Sequence, residues 1–528
     1  MKASPIHEAL RLATLILLSL AQDEQARRAL DISVRGRLQQ AVLLALPCFA
    51  LYNGQPTGVD AARCASVRGN YTNAGFRAGE PAGYMSEQCW SDPTDQCTLD
   101  NTVSPAPEPP RGAVCNQGSV PACYLEVREA AGVGAAFAFA KTHGTPLVVE
   151  NSGHDYVTRK SGKGALALWV HGLSGLEFHE DFVPEGVLSP AYRLGVDRVV
   201  QFKIITPDGV LRVANKCQYA DLFWALRGGG GGTFGVVFDA THRVEPAGLV
   251  TVASITLPSN TTADIAMRWI ELMAGESLAW GRQGWGGHAA GMYLTYMNPL
   301  PAIANSSDGG LAARASMKNA TDFAASAGGT SVIEIFPDFI IVWNKYVVSG
   351  AQQTAGQVRV LSSRLIPRSL FENDEGIVKL MNYFAATRDL GFDPRRYYCP
   401  VDIPFVTDAV KHGEAGKTAV NPAWYHSLWS MGGASVSIPW NASYAVRLQN
   451  LTALTKATLL AKDKPFTRNW REPQWADNYP RLLKIKQKYD PDGLLKCWKC
   501  VGFDDPDTDS ERFSCQAKLQ RDIDESLS

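Results

Sequence analysis

The spacing of apolar positions becomes regular at Cys123. Cys123 to Val127 reads as a short strand. Val133, Ala136, Phe137 and Ala140 then recur at helical spacing and predict a helix over Ala131 to His143. Gly144 is placed to cap that helix, and Pro146 forbids another turn. The apolar run Leu147 to Glu150 predicts the next strand and completes a β-α-β unit. Asn151, Ser152, Gly153, His154 and Asp155 follow in one short loop at the carboxyl end of that strand, the edge where α/β sheets hold ligands. Leu166 to Val170 predicts another strand. Val199 to Thr206 and Val210 to Val213 flank Pro207-Asp208-Gly209, a hairpin signal. Ala220 to Leu226 predicts a short helix, and RGGGGGTFGVV (227–237) leads into a strand running to Val244.

From Glu245 to about Asp463 helical and strand-like runs mix, which predicts a second, α+β domain. Thr262 to Met273 is a helix and Phe339 to Trp343 a strand-like run. Tyr444 to Leu460 is a helix with Val446, Leu451 and Leu454 on one side. NYPRLLKIKQKYDPDGLL (478–495) is an amphipathic helix closed by an Asp-Pro-Asp-Gly turn. Residues 53–122 are rich in Gly, Pro, Cys and Asn and lack periodicity. They predict an irregular, disulfide-stitched segment, with PAPEPPR (105–111) as an extended linker. The stretch Ala41 to Leu51 is broken by Pro47 and is expected in a core. No internal repeat is evident.

Composition narrows the setting. A length of 528 residues suggests two to four domains or subdomains. The net charge is -1 and no basic run occurs, which argues against a nucleic-acid partner. Eleven cysteines cluster at Cys48 to Cys123 and Cys497 to Cys515, as disulfides in an oxidising compartment would. Their odd number leaves at least one thiol over. Asn70, Asn260, Asn305, Asn319, Asn441 and Asn450 stand in Asn-x-Ser/Thr acceptors. Lys2 and Arg11 precede the apolar run Leu12 to Leu20, and Ser19-Leu20-Ala21 resembles a cleavage site. Residues 1–21 therefore read as a signal peptide, with a short amphipathic helix as the alternative. The run is too short to span a bilayer. The expected location is extracellular.

Two motifs carry candidate chemistry. Gly230, Gly232 and Gly235 form a G-x-G-x-x-G, but a helix precedes it and a strand follows it. A nicotinamide fingerprint needs the reverse order, because the helix N-terminus holds the pyrophosphate. The alternatives are a flexible surface loop and a backbone brought close to a flat ligand. His154 alone would be an ordinary loop histidine, and no cluster of metal ligands surrounds it. The small residues before it leave backbone N–H groups free to form an anion-binding nest, so the loop suits a cofactor tether. Cys497-x-x-Cys500 has no second pair at zinc spacing and reads as structural disulfides, with Cys515 as a further partner.

In order, PLVVENSGHDY, VVQFKIITPDGVL, DLFWALRGGGGGTFGVV and NYPRLLKIKQKYDPDGLL resemble the secreted FAD-linked oxidases of the berberine-bridge-enzyme type, in the vanillyl-alcohol-oxidase superfamily. The fungal, alcohol-oxidase-like branch is the most similar, and the resemblance spans about Cys48 to Cys500. It implies an α+β fold: a two-part PCMH-type FAD-binding domain plus a substrate domain with an antiparallel sheet covered by helices. The implied boundaries are a Cys-containing segment 22–115, the FAD domain 116–246, the substrate domain 247–463, a returning segment 464–505 and a tail 506–528. It implies FAD bound covalently through His154, by the methyl group on the benzenoid ring of the flavin. The cofactor would lie against Asn151, Ser152, Gly153, His154 and Asp155, and beside Gly231, Gly232, Thr233, Gly235 and Val236. The implied partners are a small-molecule alcohol or related donor and O2, with H2O2 as product. Tyr293, Tyr296 and Tyr425 are candidates for the catalytic base, and the sequence does not choose among them. The rival readings are a secreted glycoprotein without activity and a flavin dehydrogenase or cyclising enzyme.

Two departures stand out. In the resembled family several tens of residues, including a second glycine-rich loop, separate the equivalents of Gly186 and Val187, which are adjacent here. Many members carry there a cysteine that makes a second flavin bond, whereas no cysteine lies between Cys123 and Cys217, and Arg193 replaces an expected glycine. An extended flavin-binding strand is also missing from 462–480. The sharp edges and intact flanks point to lost coding sequence. A transcript reading continuously across Gly186 and Val187 would exclude a gene-modelling cause.

Overall fold

The computed structural model describes residues 24–84, 89, 92, 95–100, 107–109, 112–155, 158–179, 194–244, 248–304, 310–347, 358–397, 416–439, 442–460, 470–504 and 511–527. The expected signal peptide, the Gly186–Val187 junction, Arg193 and parts of the PAPEPPR and 462–480 stretches lie outside these residues. The first strands are β1 (Leu38–Gln40), β2 (Leu51–Tyr52), β3 (Gln55–Pro56), β4 (Cys123–Glu126), β5 (Leu147–Glu150) and β6 (Leu166–Trp169). Then come β7 (Val199–Ile205), β8 (Leu211–Asn215) and β9 (Val236–His242). The remainder are β10 (Val250–Thr256), β11 (Gly286–Ala290), β12 (Tyr293–Asn298), β13 (Thr330–Phe336), β14 (Val358–Pro367) and β15 (Ser427–Ile438).

The predicted β-α-β unit forms, with one strand between its two ends. Its sheet has the order β1-β4-β6-β5, and both β4 and β5 run parallel to β6. The helix Ala130–His143 ends at Gly144, whose φ of 63° lets its N–H reach the Ala140 carbonyl. Val133, Ala136, Phe137 and Ala140 are buried, as their spacing required, against Leu125, Leu147, Leu166 and Leu168. Truncating Phe137 to Ala would cost about 3–5 kcal/mol. The hairpin β7–β8 turns at Asp208 and Gly209, and β9 pairs on the other side of β7. The helix Ala220–Leu226 packs Leu222 and Phe223 against Leu482 and Ile485 of the helix Tyr479–Tyr489. The C-terminal amphipathic helix thus returns to the first half of the chain.

The second half is the expected antiparallel sheet, ordered β11-β12-β10-β13. The helix Ala263–Gln283 covers it and runs ten residues beyond the expected Met273, to a left-handed Gly284. Trp269, Trp280, Tyr296, Phe384 and Trp429 share the core. β14 and β15 pair separately. Among the described residues no helix is long and apolar enough to cross a membrane.

Several expectations are corrected. Phe339–Val342 is helical and not a strand, because Asp338 caps it by accepting the Ile341 N–H at 3.0 Å. A short continuous apolar run has no period with which to separate the two states. Residues 53–122 contain helices Ala61–Asn70 and Ala74–Ala78, capped by Asp60 and Asn73. Arg68 and Asp100 tie down Glu108, so this part of the expected linker is bonded. On Tyr444–Leu460 the buried face is Arg447, Leu451, Leu454 and Ala457, while Val446 is exposed. Arg447 hides its charge by donating to the Ala442 carbonyl at 3.0 Å.

Among the described residues the disulfides are Cys48–Cys64, Cys89–Cys515, Cys97–Cys115 and Cys497–Cys500. Cys515 therefore joins the N-terminal segment and not the Cys-x-x-Cys. The expected tail is a helix, Ser514–Leu527, with Leu519 and Ile523 packed against Leu451 and Leu454.

Candidate functional site

β5 ends in Glu150, which is buried, and the chain then turns outward. Gly153 is buried with a φ of 75°, and a Cβ there would meet the Gly83 carbonyl oxygen and Tyr84 Cα at 3.5 Å. His154 is exposed at the outer edge of the loop. The Asp155 carboxylate accepts the N–H of Arg159. Thr158, left-handed at φ 62° and buried, accepts from Gln516 Nε2 at 3.2 Å. Lys160 folds back, and its ammonium donates to the Gly153 carbonyl and stands 4.5 Å from the centre of the Tyr84 ring.

The glycine-rich stretch is held in a different way. A Cβ on Gly228 would lie 2.4 Å from Val420 N, one on Gly229 2.5 Å from the Ala225 oxygen, and one on Gly235 2.3 Å from the Ile205 oxygen. Only glycine fits such approaches. Lys486, buried on the returning helix, donates to the Thr233 carbonyl at 2.6 Å and pairs with Asp490 at 2.5 Å. Val236 opens β9 and turns its side chain into the core.

These two loops meet. A Cβ on Gly232 would lie 3.1 Å from Val149 Cβ on β5, and one on Gly230 3.6 Å from Arg159 Nη1. Among the described residues nothing lies within 4 Å of a Cβ on Gly231, and the buried Thr233 hydroxyl, 3.1 Å from a Cβ on Gly230, has no hydrogen-bond partner. An open backbone ridge, an unspent hydroxyl and an exposed histidine fit a long cofactor laid across both loops.

The electrostatics beneath the histidine loop are unusual. Burial pushes Glu150 up to about 8, against the pull of Lys160 and Tyr84. Burial pushes Lys160 down to about 8, against the attraction of Glu150 and Asp155. His154 lies below the ordinary histidine range, first through burial and then through the charge of Lys160. Its imidazole is therefore neutral near pH 7, the form that can act as a nucleophile.

The tyrosine candidates separate. Tyr296 is fully buried, with its ring edge-on to Trp280 at 5.8 Å, and belongs to the core. Tyr293 is partly exposed at the start of β12. Tyr425 is buried and donates to Asp197 Oδ1 at 2.8 Å, with Thr418 Oγ1 at 3.0 Å, and burial raises its pKa. Sequence reasoning missed Tyr84, Glu150, Lys160 and Gln516. A lysine in a polar loop and a glutamate at a strand end look solvated, and the only available signal was their nearness to His154.

Residues 450–497 match the family model described as berberine and berberine like. The crystal structure of the VAO-type flavoprotein MtVAO615 from Myceliophthora thermophila C1 superposes with a TM-score of 0.72 at 23% identity, covering 90% of this chain and 95% of that one. Glucooligosaccharide oxidase from Acremonium strictum, studied for its 6-S-cysteinyl, 8α-N1-histidyl FAD, has a TM-score of 0.52 at 16% identity, covering 72% of this chain and 92% of that one. The fold is thus that of a VAO-type flavoprotein.

The FAD-linked oxidoreductase cheF of Chaetomium globosum is 35% identical over 90% of this chain and 86% of its own length. The chain belongs to this family of berberine-bridge-like FAD-linked oxidoreductases. That alignment spans 548 positions, more than the 528 residues present here, so the relative carries residues without a counterpart in this chain.

Proposed function

We propose that this chain is a secreted oxidase that binds FAD covalently through His154 and oxidises a hydroxyl-bearing carbon of a small molecule. The observation that carries the reading is the meeting of the His154 loop with the glycine ridge at the carboxyl end of β5. When bound, FAD would accept a hydride from the donor carbon and pass the electrons to O2, giving H2O2. The backbone of Asn151, Ser152, Gly153 and Asp155 would flank the pyrophosphate. Gly231, Gly232, Thr233, Gly235 and Val236 would run beside the cofactor, with Thr233 supplying its unspent hydroxyl. The 116–246 and 464–505 segments would hold FAD, and 247–463 would align the donor and exclude water. The disulfides among the described residues and the N-terminal apolar run support secretion.

The test is flavin attachment. Protein made in a secretory pathway and denatured in acid should precipitate yellow and fluorescent, and His154→Ala should precipitate colourless. Peroxide release with small alcohols then separates an oxidase from a dehydrogenase. The extra aligned positions of the relative favour a second reading, a chain that has lost its activity. Soluble wild-type protein that is colourless before acid treatment would establish that reading.

A further inference from the structure

We infer that Lys160 is a positioning residue for His154, fixing the loop carbonyl next to the imidazole from a buried base of Glu150 and Tyr84. The inference rests on the reading of His154 as the flavin anchor. Lysine side chains ordinarily keep their ammonium in water. That of Lys160 is 3% exposed, directly under a loop whose next residue is solvent-facing. The backbone acceptor it reaches is the carbonyl of Gly153, immediately before His154. Gly153 sits at φ 75° and carries no side chain to hold it. A glycine at that position is the most mobile element of the loop unless its carbonyl is tied.

Glu150, 2% exposed at the end of β5, attracts Lys160 when it is ionised, and the Tyr84 ring covers the ammonium. Arg77 and Asp155 are the other charged groups that act on Lys160. On the far side of His154, the Asp155 carboxylate holds the N–H of Arg159. His154 is therefore bracketed: the residue before it is fixed through its carbonyl, the residue after it through its side chain. A reacting group needs such fixing, because attack requires a narrow range of distance and direction. Attachment exchanges one methyl C–H and the imidazole N–H for a C–N bond, with O2 taking both hydrogens as H2O2. Lys160 makes and breaks no bond in this exchange.

The experiment compares wild type, His154→Ala, Lys160→Met, Lys160→Arg and the double variant Glu150→Gln/Lys160→Met. The readouts are acid-stable flavin per chain and amide exchange over residues 151–155. Lys160→Met should lose at least tenfold in the rate of acid-stable flavin formation and exchange its loop amides faster. Lys160→Arg should recover part of both. The double variant leaves neither Glu150 nor Lys160 as an unmatched buried charge, so it should fold even where Lys160→Met does not, and it should still attach flavin slowly. Wild-type attachment rates in the double variant would overturn the inference, because Lys160 would then serve only to balance Glu150. Wild-type protein without acid-stable flavin, or His154→Ala retaining it, would overturn the anchor reading itself, and this inference with it.

Discussion

The two loops that meet at the site are held by opposite means. The histidine loop is fixed by side chains: Lys160 on the Gly153 carbonyl, Asp155 on the Arg159 N–H, and Gln516 on Thr158. The glycine ridge is fixed largely by their absence, since Gly228, Gly229 and Gly235 let the backbone press against its neighbours. Side-chain clamps respond to charge and pH. Close backbone approach responds to volume, and it fails abruptly. The histidine loop is therefore the adjustable half of the site and the glycine ridge the rigid half.

The sharpest way to break the rigid half is Gly235→Val. Its backbone has a φ of 157°, and a Cβ would stand 2.3 Å from the Ile205 carbonyl oxygen in the β7–β9 pairing. Neither backbone can yield without giving up strand hydrogen bonds. The expected loss exceeds about 4 kcal/mol, enough to abolish soluble protein from a marginally stable chain. Secretion yield and thermal unfolding would measure it. Normal yield would mean that the two strands are not in register.

The ridge has one charged support, and it is the next largest effect. Lys486→Met removes the donor to the Thr233 and Leu495 carbonyls and leaves Asp490 buried without its cation. Asp490 keeps the N–H groups of Leu494 and Leu495, at 2.8 and 3.0 Å, so part of its charge remains solvated. The expected loss is about 3 kcal/mol, at the lower end for a broken buried pair. Denaturant unfolding checks it, and Lys486→Met/Asp490→Asn should recover most of the loss.

The histidine loop should instead show its character in pH dependence. The Glu150 pKa is raised in the folded chain to about 8. A raised carboxyl contributes stability below its unfolded value, lost as pH rises through the folded value. Wild type should therefore lose stability relative to Glu150→Gln between about pH 5 and pH 8, by on the order of 3 kcal/mol. Lys160 remains protonated in both states over most of that window, so the difference isolates Glu150. Parallel stability curves for the two proteins would show that folding does not raise the Glu150 pKa.

The same contrast explains what was legible in the sequence. The ridge was readable as a backbone requirement because five consecutive glycines have few other uses. Its neighbouring helix, Ala220–Leu226, carries a plain apolar pattern and was placed at its observed bounds. So was Tyr444–Leu460, but its buried face was misread, because Arg447 occupies a core position that polarity argues against. The clamps of the histidine loop were hidden for the same reason. Lys160 and Glu150 are brought inside under Tyr84, and Gln516 arrives on a helix joined through Cys89–Cys515, contacts far apart in sequence. Periodicity reports which residues avoid water, and it is silent about charges that find one another there.

The smallest effect sharpens the comparison most, because it separates packing from ligand. Gly231 lies within the ridge, yet a Cβ on it would meet nothing within 4 Å among the described residues. Its φ lies outside the left-handed range that Gly228, Gly230, Gly232 and Gly235 occupy, so alanine is not strained there. Gly231→Ala should leave stability within about 0.5 kcal/mol of wild type, in contrast to Gly235→Val. A glycine that the protein does not need for its own packing is kept open for something else. If FAD crosses the ridge at this point, the added methyl group intrudes on the cofactor and not on the chain. Gly231→Ala should then fold normally while retaining less flavin than wild type under equal loading. Equal flavin content in the two proteins would place the cofactor elsewhere along the ridge and leave Gly232 and Thr233 as its contact.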